Sequence, residues 1–293
     1  KKIMEQTTLI NFKRERDFGE VFNVTFQFLK QEYKGIGRSF AFFVLPVLLI
    51  AAVLNVFVGL EQQKVAQDLT QMDPMAGGNP FAAVGSTFVY TFFTILLYLI
   101  SFAVLKCMVY SYIKLYIEKG PGAFSTDDVW SGITKIIFPV LGTSLLVGLL
   151  VGVGFILCVI PGIYVGVSLS LIYMTLVFEQ NGFGDAFSRS FRLTAKKWWV
   201  TLGLIVVSYL IIYGITLVFS IPGMIMGITT VFTMQNPEEF IGFSTGFYIY
   251  SSVINLISYT LFIIPTLVIA FHYFSIVEEI DTPTLEQNID QIS

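Results

Sequence analysis

Apolar residues in this chain cluster into six segments, each long enough to form a helix that crosses a membrane. The segments cover residues 40–60, 86–112, 137–158, 162–178, 199–220 and 249–275. A span needs about 20 mainly apolar residues, so the pattern predicts six transmembrane helices. The third and fourth segments are separated only by Val159–Gly162. The Pro161-Gly162 pair in this stretch predicts a tight hairpin turn between two helices.

A second pattern lies outside the apolar segments and recurs along the chain. Residues 18–22 read FGEVF and residues 183–187 read FGDAF, each followed by a hydroxyl residue and a phenylalanine at the same spacing. With residues 124–135 as the middle copy, this pattern predicts three units, each a surface helix followed by a pair of spans.

The predicted fold class is all-α. It is a polytopic integral membrane helical bundle with six transmembrane helices in three hairpins, each preceded by a cytoplasmic amphipathic surface helix. Three parts are predicted: a cytoplasmic N-terminal segment with an amphipathic helix at 1–39, a six-span membrane domain at 40–277, and an acidic cytoplasmic tail at 278–293.

Composition excludes a water-soluble fold. Hydrophobic residues make up 55% of the chain and charged residues only 13%, whereas soluble domains carry about 25% charged residues. Lys and Arg then predict the orientation, because they accumulate in cytoplasmic loops. They concentrate in residues 1–38, 114–135 and 189–197, whereas the loop at 61–85 has Lys64 alone and the loop at 221–248 has none. Both termini are therefore predicted to be cytoplasmic.

The surface helices supply the candidate docking residues, because they combine an aromatic face with basic flanks. Such a face is typical of a helix that lies among anionic headgroups, but it can equally pack against the cytoplasmic ends of the bundle. The candidates for docking lipid or a partner are Phe18, Phe22, Phe26, Phe183, Phe187, Phe191, Arg189, Arg192, Lys196 and Lys197.

Small residues recur every fourth position in the third and fourth spans. Gly148 and Gly152 follow Ser144, and Gly162 and Gly166 precede Ser170. Such stripes allow two helix backbones to approach closely, so Gly148, Gly152, Gly162 and Gly166 are predicted to pack the third and fourth spans against each other. A glycine-lined permeation route is the alternative interpretation.

Residues with catalytic chemistry are scarce. His272 is the only histidine and lies apart from a metal-binding set, so it is interpreted as a hydrogen-bonded residue at the membrane interface. No Gly-rich phosphate-binding loop of the Walker type occurs. Lys106 interrupts an apolar run and is expected to extend toward the cytoplasmic end of its span. The sequence therefore predicts neither enzymatic activity nor a cofactor or metal.

Residues 161–203 carry a family resemblance. The run beginning PGIYV at 161–165, the FGDAF sequence, and the RSFRLT sequence at 189–194 followed by Trp198-Trp199 resemble the membrane domain of bacterial glycerophosphoryl diester phosphodiesterases. Phe191 stands where that family typically has tryptophan. The phosphodiesterase reaction belongs to a separate soluble domain, so the resemblance implies a fold, a topology and the bacterial cytoplasmic membrane, but no activity.

Two functions stay open at this point. The first is a non-enzymatic scaffold or accessory subunit that docks lipid headgroups or a protein partner through the surface helices. The second is a lipid-handling or passive small-molecule transport protein with a path between the repeats. Membrane lipids, and a protein partner or a second copy of the chain, are the predicted partners, and nucleic acid is not.

Overall fold

The protein is an all-helical membrane bundle, seen here in a computed structural model that describes residues 10–71, 80–233 and 237–290. No strand occurs in those ranges. The helices are α1 Phe18–Phe43, α2 Leu45–Gln71, α3 Pro80–Lys119, α4 Thr126–Leu157, α5 Val159–Ser168, α6 Ile172–Phe178, α7 Phe183–Lys196, α8 Trp198–Thr233, α9 Pro237–Leu261 and α10 Ile263–Asp290.

Six stretches of these helices are long and apolar enough to cross a membrane, in agreement with the six predicted spans. They are Leu45–Val65, Thr87–Lys119, Thr126–Leu157, Val159–Phe178, Trp198–Ile228 and Thr245–Asp281. Many of their large apolar side chains are exposed on the protein surface, including Phe88, Ile156 and Leu210. A membrane protein can leave such side chains outside its core because lipid solvates them.

Proline fixes where several helices begin. Pro46, Pro161 and Pro265 each lie in the first turn of α2, α5 and α10, respectively. Proline is tolerated there because the first backbone N–H groups of a helix have no helical partner. Pro139 lies inside α4 without ending it, so the predicted middle surface helix at 124–135 forms the first turns of one continuous helix.

The chain divides into two compact units. Unit 1 takes the described residues of Lys1–Phe43, Ala103–Leu210 and Ile263–Ser293, and unit 2 takes those of Val44–Phe102 and Ile211–Phe262.

In unit 1, an aromatic cluster joins the N-terminal segment to three helices. The ring of Phe12 stacks on Phe271 at 4.9 Å between centroids, and Phe28 meets Tyr116 at 5.2 Å. The hydroxyl of Tyr116 also accepts a hydrogen bond from the backbone N–H of Ile10 at 3.3 Å. Aromatic rings in edge and offset contacts stabilise a core beyond the area they bury.

In unit 2, α9 contacts α2 and α3 through polar and aromatic side chains. The Ser252 hydroxyl donates to the Asn55 side-chain oxygen at 3.4 Å, as expected if Asn55 bridges two helices. Tyr98 of α3 stacks on Tyr259 with centroids 4.6 Å apart. A side chain at Gly59 of α2 would overlap the ring of Tyr248 of α9, so glycine is needed where α2 and α9 meet.

Candidate functional site

Helix α7 is attached to unit 1 through small and hydroxyl side chains. Its buried residues are Ala186, Ser190, Leu193 and Thr194. The Ser190 hydroxyl donates to the backbone carbonyl of Ser168 at 2.7 Å, and the Thr194 hydroxyl reaches the same oxygen at 3.4 Å. Ser168 is the last residue of α5, where helix carbonyls lack backbone partners. The two hydroxyls therefore satisfy a carbonyl at the buried end of α5 and hold α7 beside that helix.

Arg189 connects α7 to the end of α6 and to α10. Its Nε lies 3.1 Å from Glu179 Oε1, and its Nη2 pairs with the carboxylate of Asp281. Glu179 also accepts hydrogen bonds from the Tyr273 hydroxyl at 2.9 Å and from the Asn181 side-chain amide at 2.8 Å. Burial alone would lower the pKa of Arg189, but its bonds to Asp281 and Glu179 outweigh burial and raise that pKa. We refer to these five residues as the Arg189 network.

The structure divides the four predicted docking cations into two kinds. Arg189 belongs to its network, and Lys197 Nζ lies 2.9 Å from Glu279. Arg192 and Lys196 are exposed, and within residues 10–71, 80–233 and 237–290 neither takes part in an ion pair. The expectation that all four cations face lipid or a partner is therefore corrected: Arg189 and Lys197 hold the protein together, because carboxylates lie within reach of both.

Sequence reasoning missed the carboxylates of this region. Glu179 is ten residues before Arg189, and Asp281 is 92 residues after it. The available signal was topological, because the acidic residues at 278–281 follow the last span on the same predicted side as α7. These residues belong to the segment at 278–293 that is predicted to be a separate acidic tail.

One side of α7 carries a row of half-buried aromatic rings. Phe183 and Phe187 have centroids 6.2 Å apart, and Phe187 and Phe191 are 4.9 Å apart. The next ring is Tyr164 of α5, 6.4 Å from Phe191. All three predicted phenylalanines of α7 are thus brought together, and the row extends beyond them onto a second helix.

The row ends at a cavity at the junction of α7 and α8. Tyr164 stacks on Trp198 at 5.9 Å, and Trp198 meets Trp199 edge-on at 4.8 Å. The cavity has a volume of about 570 Å³, and its lining is apolar except for lysine side chains such as Lys196. The Trp198 indole N–H is buried and has no hydrogen-bond acceptor among the described residues. We call this space the junction cavity.

Helix α7 runs back along α6 and α5, which places the α4–α5 turn beside the start of α8. The Thr175 hydroxyl of α6 donates to the carbonyl of Ala186 at 3.3 Å, and Tyr164, in the middle of α5, stacks on Trp198. The predicted alternation of spans put Val159–Gly162 and the start of α8 on opposite membrane faces. In the structure, residues of both segments line the junction cavity.

The predicted docking face of α1 is partly packed. Its buried residues include Val21, Val24 and Phe28, while Phe18 and Phe26 lie at the edge of that face with 39% and 44% of their surface exposed. The ring of Phe18 lies against Gly203 of α8 and 5.5 Å from the ring of Phe22. Of the two interpretations of the surface helices, packing against the bundle therefore accounts for much of α1.

The glycines that bring α4 and α5 together overlap only in part with the predicted set. A Cβ at the predicted Gly162 would overlap the ring of Phe155 of α4. A Cβ at Gly148 or Gly152 would meet nothing within 4 Å, whereas a Cβ at Gly154 would lie 2.9 Å from the Cα of Gly162. A Cβ at Gly166 would make ordinary contact with Val151 at 3.8 Å. Residues two apart on a helix point to opposite sides, so the face with Gly154 packs and the predicted stripe on α4 turns away.

Two polar residues within the spans have partners. His272 is buried, and its Nε2 lies 2.9 Å from the Thr201 hydroxyl. The ammonium of Lys106 lies 3.5 Å from the ring centroid of Tyr173. Lys106 was expected to extend toward the cytoplasmic end of its span, and its contact with the Tyr173 ring is a cation–π interaction. No group of three or more His, Cys, Asp or Glu side chains suited to a metal occurs in the described part of the chain.

Comparisons of this chain with models of known protein families, with curated protein sequences and with solved structures found no match.

Proposed function

We propose that this protein is a non-enzymatic membrane scaffold that binds anionic phospholipid headgroups through the C-terminal end of α7, beside the junction cavity. The observation that carries the proposal is the junction cavity. It is an apolar space bordered by tryptophans, and the exposed cations Lys196 and Arg192 lie at its edge or one turn away. Acyl chains favour the apolar space, and headgroup phosphates favour the two cations.

The aromatic row supports a position at the membrane surface. Tryptophan and tyrosine are enriched where headgroups meet hydrocarbon, because their rings are apolar and their N–H or O–H groups are polar. The Trp199 side chain is 77% exposed, and the buried Trp198 N–H has no acceptor among the described residues.

Charge supports an anionic lipid. Each Lys or Arg near an anionic surface contributes about 1 kcal/mol of attraction. Because Arg189 and Lys197 are neutralised by carboxylates of the protein, the proposal assigns this attraction to Arg192 and Lys196 alone. It also places α7 and both termini on the cytoplasmic side of a bacterial inner membrane, where the Lys and Arg distribution puts them.

The test uses the full chain in nanodiscs of phosphatidylcholine with or without phosphatidylglycerol. We expect phosphatidylglycerol to raise the midpoint of thermal unfolding in low salt. Combining Arg192→Gln with Lys196→Gln should remove most of that increase, equivalent to about 2 kcal/mol. High salt should reduce the increase for the unaltered protein, because salt screens exposed charges.

The matched control combines Lys30→Gln with Lys135→Gln, which removes two exposed cations from α1 and α4. This variant should keep the response to phosphatidylglycerol. The proposal is wrong if the α7 variant and the control respond equally. A loss of association with a copurified protein, with an unchanged lipid response, would instead favour docking of a protein partner.

One observation favours the lipid-handling alternative. A cation inside a span is costly and often marks a functional pathway, and Lys106 lies against Tyr173 within unit 1. If the protein moves lipid, Lys106→Met should slow lipid exchange between the leaflets of reconstituted vesicles while Arg192→Gln with Lys196→Gln leaves that rate largely intact. The scaffold proposal expects no lipid exchange above that of protein-free vesicles.

A further inference from the structure

A second cavity lies in unit 1, away from the junction cavity, and neither the aromatic row nor the Arg189 network uses it. It has a volume of about 420 Å³ and lies between α1, α3 and the connection that leads into α4. Unlike the junction cavity, its lining is mainly polar. The lining residues that matter here are Glu32, Lys34, Gly35, Arg38 and Tyr112. We call it the α1 cavity.

The inner wall of the α1 cavity carries a carboxylate. Glu32 is buried, with 8% of its surface exposed, and its Oε2 accepts a hydrogen bond from the Tyr112 hydroxyl at 2.7 Å. A side chain at Gly35 would overlap that hydroxyl, so the glycine is what allows Tyr112 to reach Glu32. No cation lies within ion-pair distance of Glu32 among the residues that the structure describes.

The outer wall of the same cavity carries two cations. Lys34 and Arg38 are one helical turn apart on α1 and both are exposed. Neither pairs with a carboxylate in the described ranges, although the Lys34 ammonium lies 5.7 Å from the ring centroid of Tyr33. The cavity therefore contains one negative and two positive groups that the protein does not pair with each other.

We propose that the α1 cavity binds a small zwitterion that carries an ammonium and a phosphate, of which phosphoethanolamine is the simplest example. A simple anion would be attracted by Arg38 and Lys34 but repelled by Glu32, and a simple cation would meet the opposite problem. A zwitterion places its ammonium at Glu32 and its phosphate at Arg38, so each charge of the ligand has a partner.

The dimensions agree with such a ligand. Glu32 and Arg38 are six residues apart on one helix, so their Cα atoms are about 9 Å apart along its axis. The flexible arginine side chain shortens that gap to the few ångströms that separate the two charged groups of phosphoethanolamine. The first turn of α4 is already capped by Ser125 and Asp128, so the phosphate site depends on the α1 cations.

The same headgroup chemistry has two sources, phosphatidylethanolamine in the membrane and a soluble phosphorylated amine. The experiment measures binding of soluble phosphoethanolamine, ethanolamine and inorganic phosphate to the full chain in phosphatidylcholine nanodiscs by calorimetry. We expect phosphoethanolamine to bind at least tenfold more tightly than either fragment, because only it satisfies both walls.

Two charge-neutralising variants distinguish the contributions of the inner and outer walls to binding. Glu32→Gln keeps an acceptor for Tyr112 but removes the carboxylate, and should weaken phosphoethanolamine binding about tenfold or more without weakening inorganic phosphate. Arg38→Gln should weaken both phosphoethanolamine and phosphate. The matched controls are Lys30→Gln on α1 and Glu118→Gln on α3, which change the same charges at exposed positions that do not line the cavity.

Nanodiscs that contain phosphatidylethanolamine identify the source. If they reduce the binding of soluble phosphoethanolamine, the lipid headgroup occupies the cavity; if they do not, a soluble zwitterion is the ligand, and both results support the proposal. The proposal is overturned if phosphoethanolamine does not bind, or if Glu32→Gln binds it as tightly as the unaltered protein while its thermal unfolding is unchanged.

Discussion

Charged side chains near α7 and in the α1 cavity differ in whether the protein supplies their ion-pair partners. Arg189 meets two carboxylates, so the charges there are satisfied within the protein. Glu32 is buried with only the Tyr112 hydroxyl as a described partner, while Arg38 nearby has no carboxylate. The difference indicates that charge near α7 mainly fastens helices, whereas charge in the α1 cavity is available to a ligand.

The largest expected effect tests this difference directly. Arg189→Gln leaves Glu179 and Asp281 without their cation and should lower the free energy of unfolding by about 2–3 kcal/mol. This is less than for a fully buried pair, because Asp281 is partly exposed. Glu32→Gln should cost less than about 1 kcal/mol, because it removes a buried charge that lacks an ion-pair partner. Denaturant unfolding in detergent measures both, and equal losses would contradict the comparison.

The next effect concerns the hairpin that supports the junction cavity. Gly154→Ala places a methyl group 2.9 Å from a backbone atom of Gly162, and backbone cannot move aside as a side chain can. The free energy of unfolding should fall by about 2 kcal/mol. Gly152→Ala is the control, because its methyl would meet nothing within 4 Å and alanine favours a helix by up to about 1 kcal/mol. If Gly152→Ala lowered the free energy of unfolding and Gly154→Ala did not, the result would support the stripe predicted from the sequence.

A smaller effect concerns the α1 cavity. Gly35→Ala should push the Tyr112 ring away from Glu32 and lower the free energy of unfolding by about 1–2 kcal/mol, since a side chain can yield where backbone cannot. Gly37→Ala, two residues further along α1, meets nothing within 4 Å and should be neutral or slightly stabilising. Thermal unfolding of the two variants checks this, and similar midpoints would show that Tyr112 adapts without cost.

The last prediction concerns topology and not stability. It tests on which side of the membrane the α4–α5 turn lies. Cys158 is exposed at that turn and Cys107 is buried. Because the turn and the start of α8 line one cavity, Cys158 should react with an impermeant maleimide from the same membrane side as a cysteine introduced by Lys196→Cys. Labelling uses sealed vesicles of both orientations, with Cys158→Ser as the background control. Reaction from opposite sides would support the alternation predicted from the sequence.

The sequence by itself determined the helices and their membrane character. Hydropathy is a property of each local window, so six apolar segments are visible before any contact is known. The α4–α5 turn near Pro161, and the amphipathic pattern of α7, also follow from neighbouring residues. The gathering of Phe183, Phe187 and Phe191 on one side of α7 follows from helical spacing alone.

Only the tertiary structure decided which of these elements meet. The sequence pattern predicted Gly152 as a packing position, but the register of the hairpin placed Gly154 at the contact instead. Glu32 and Tyr112 are 80 residues apart, and Arg189 and Asp281 are 92 apart, so no local pattern connects either pair. The helical period determines which residues share a face. Which other helix that face meets depends on how distant helices pack. That packing decides whether a charged side chain pairs within the protein or stays available to a ligand.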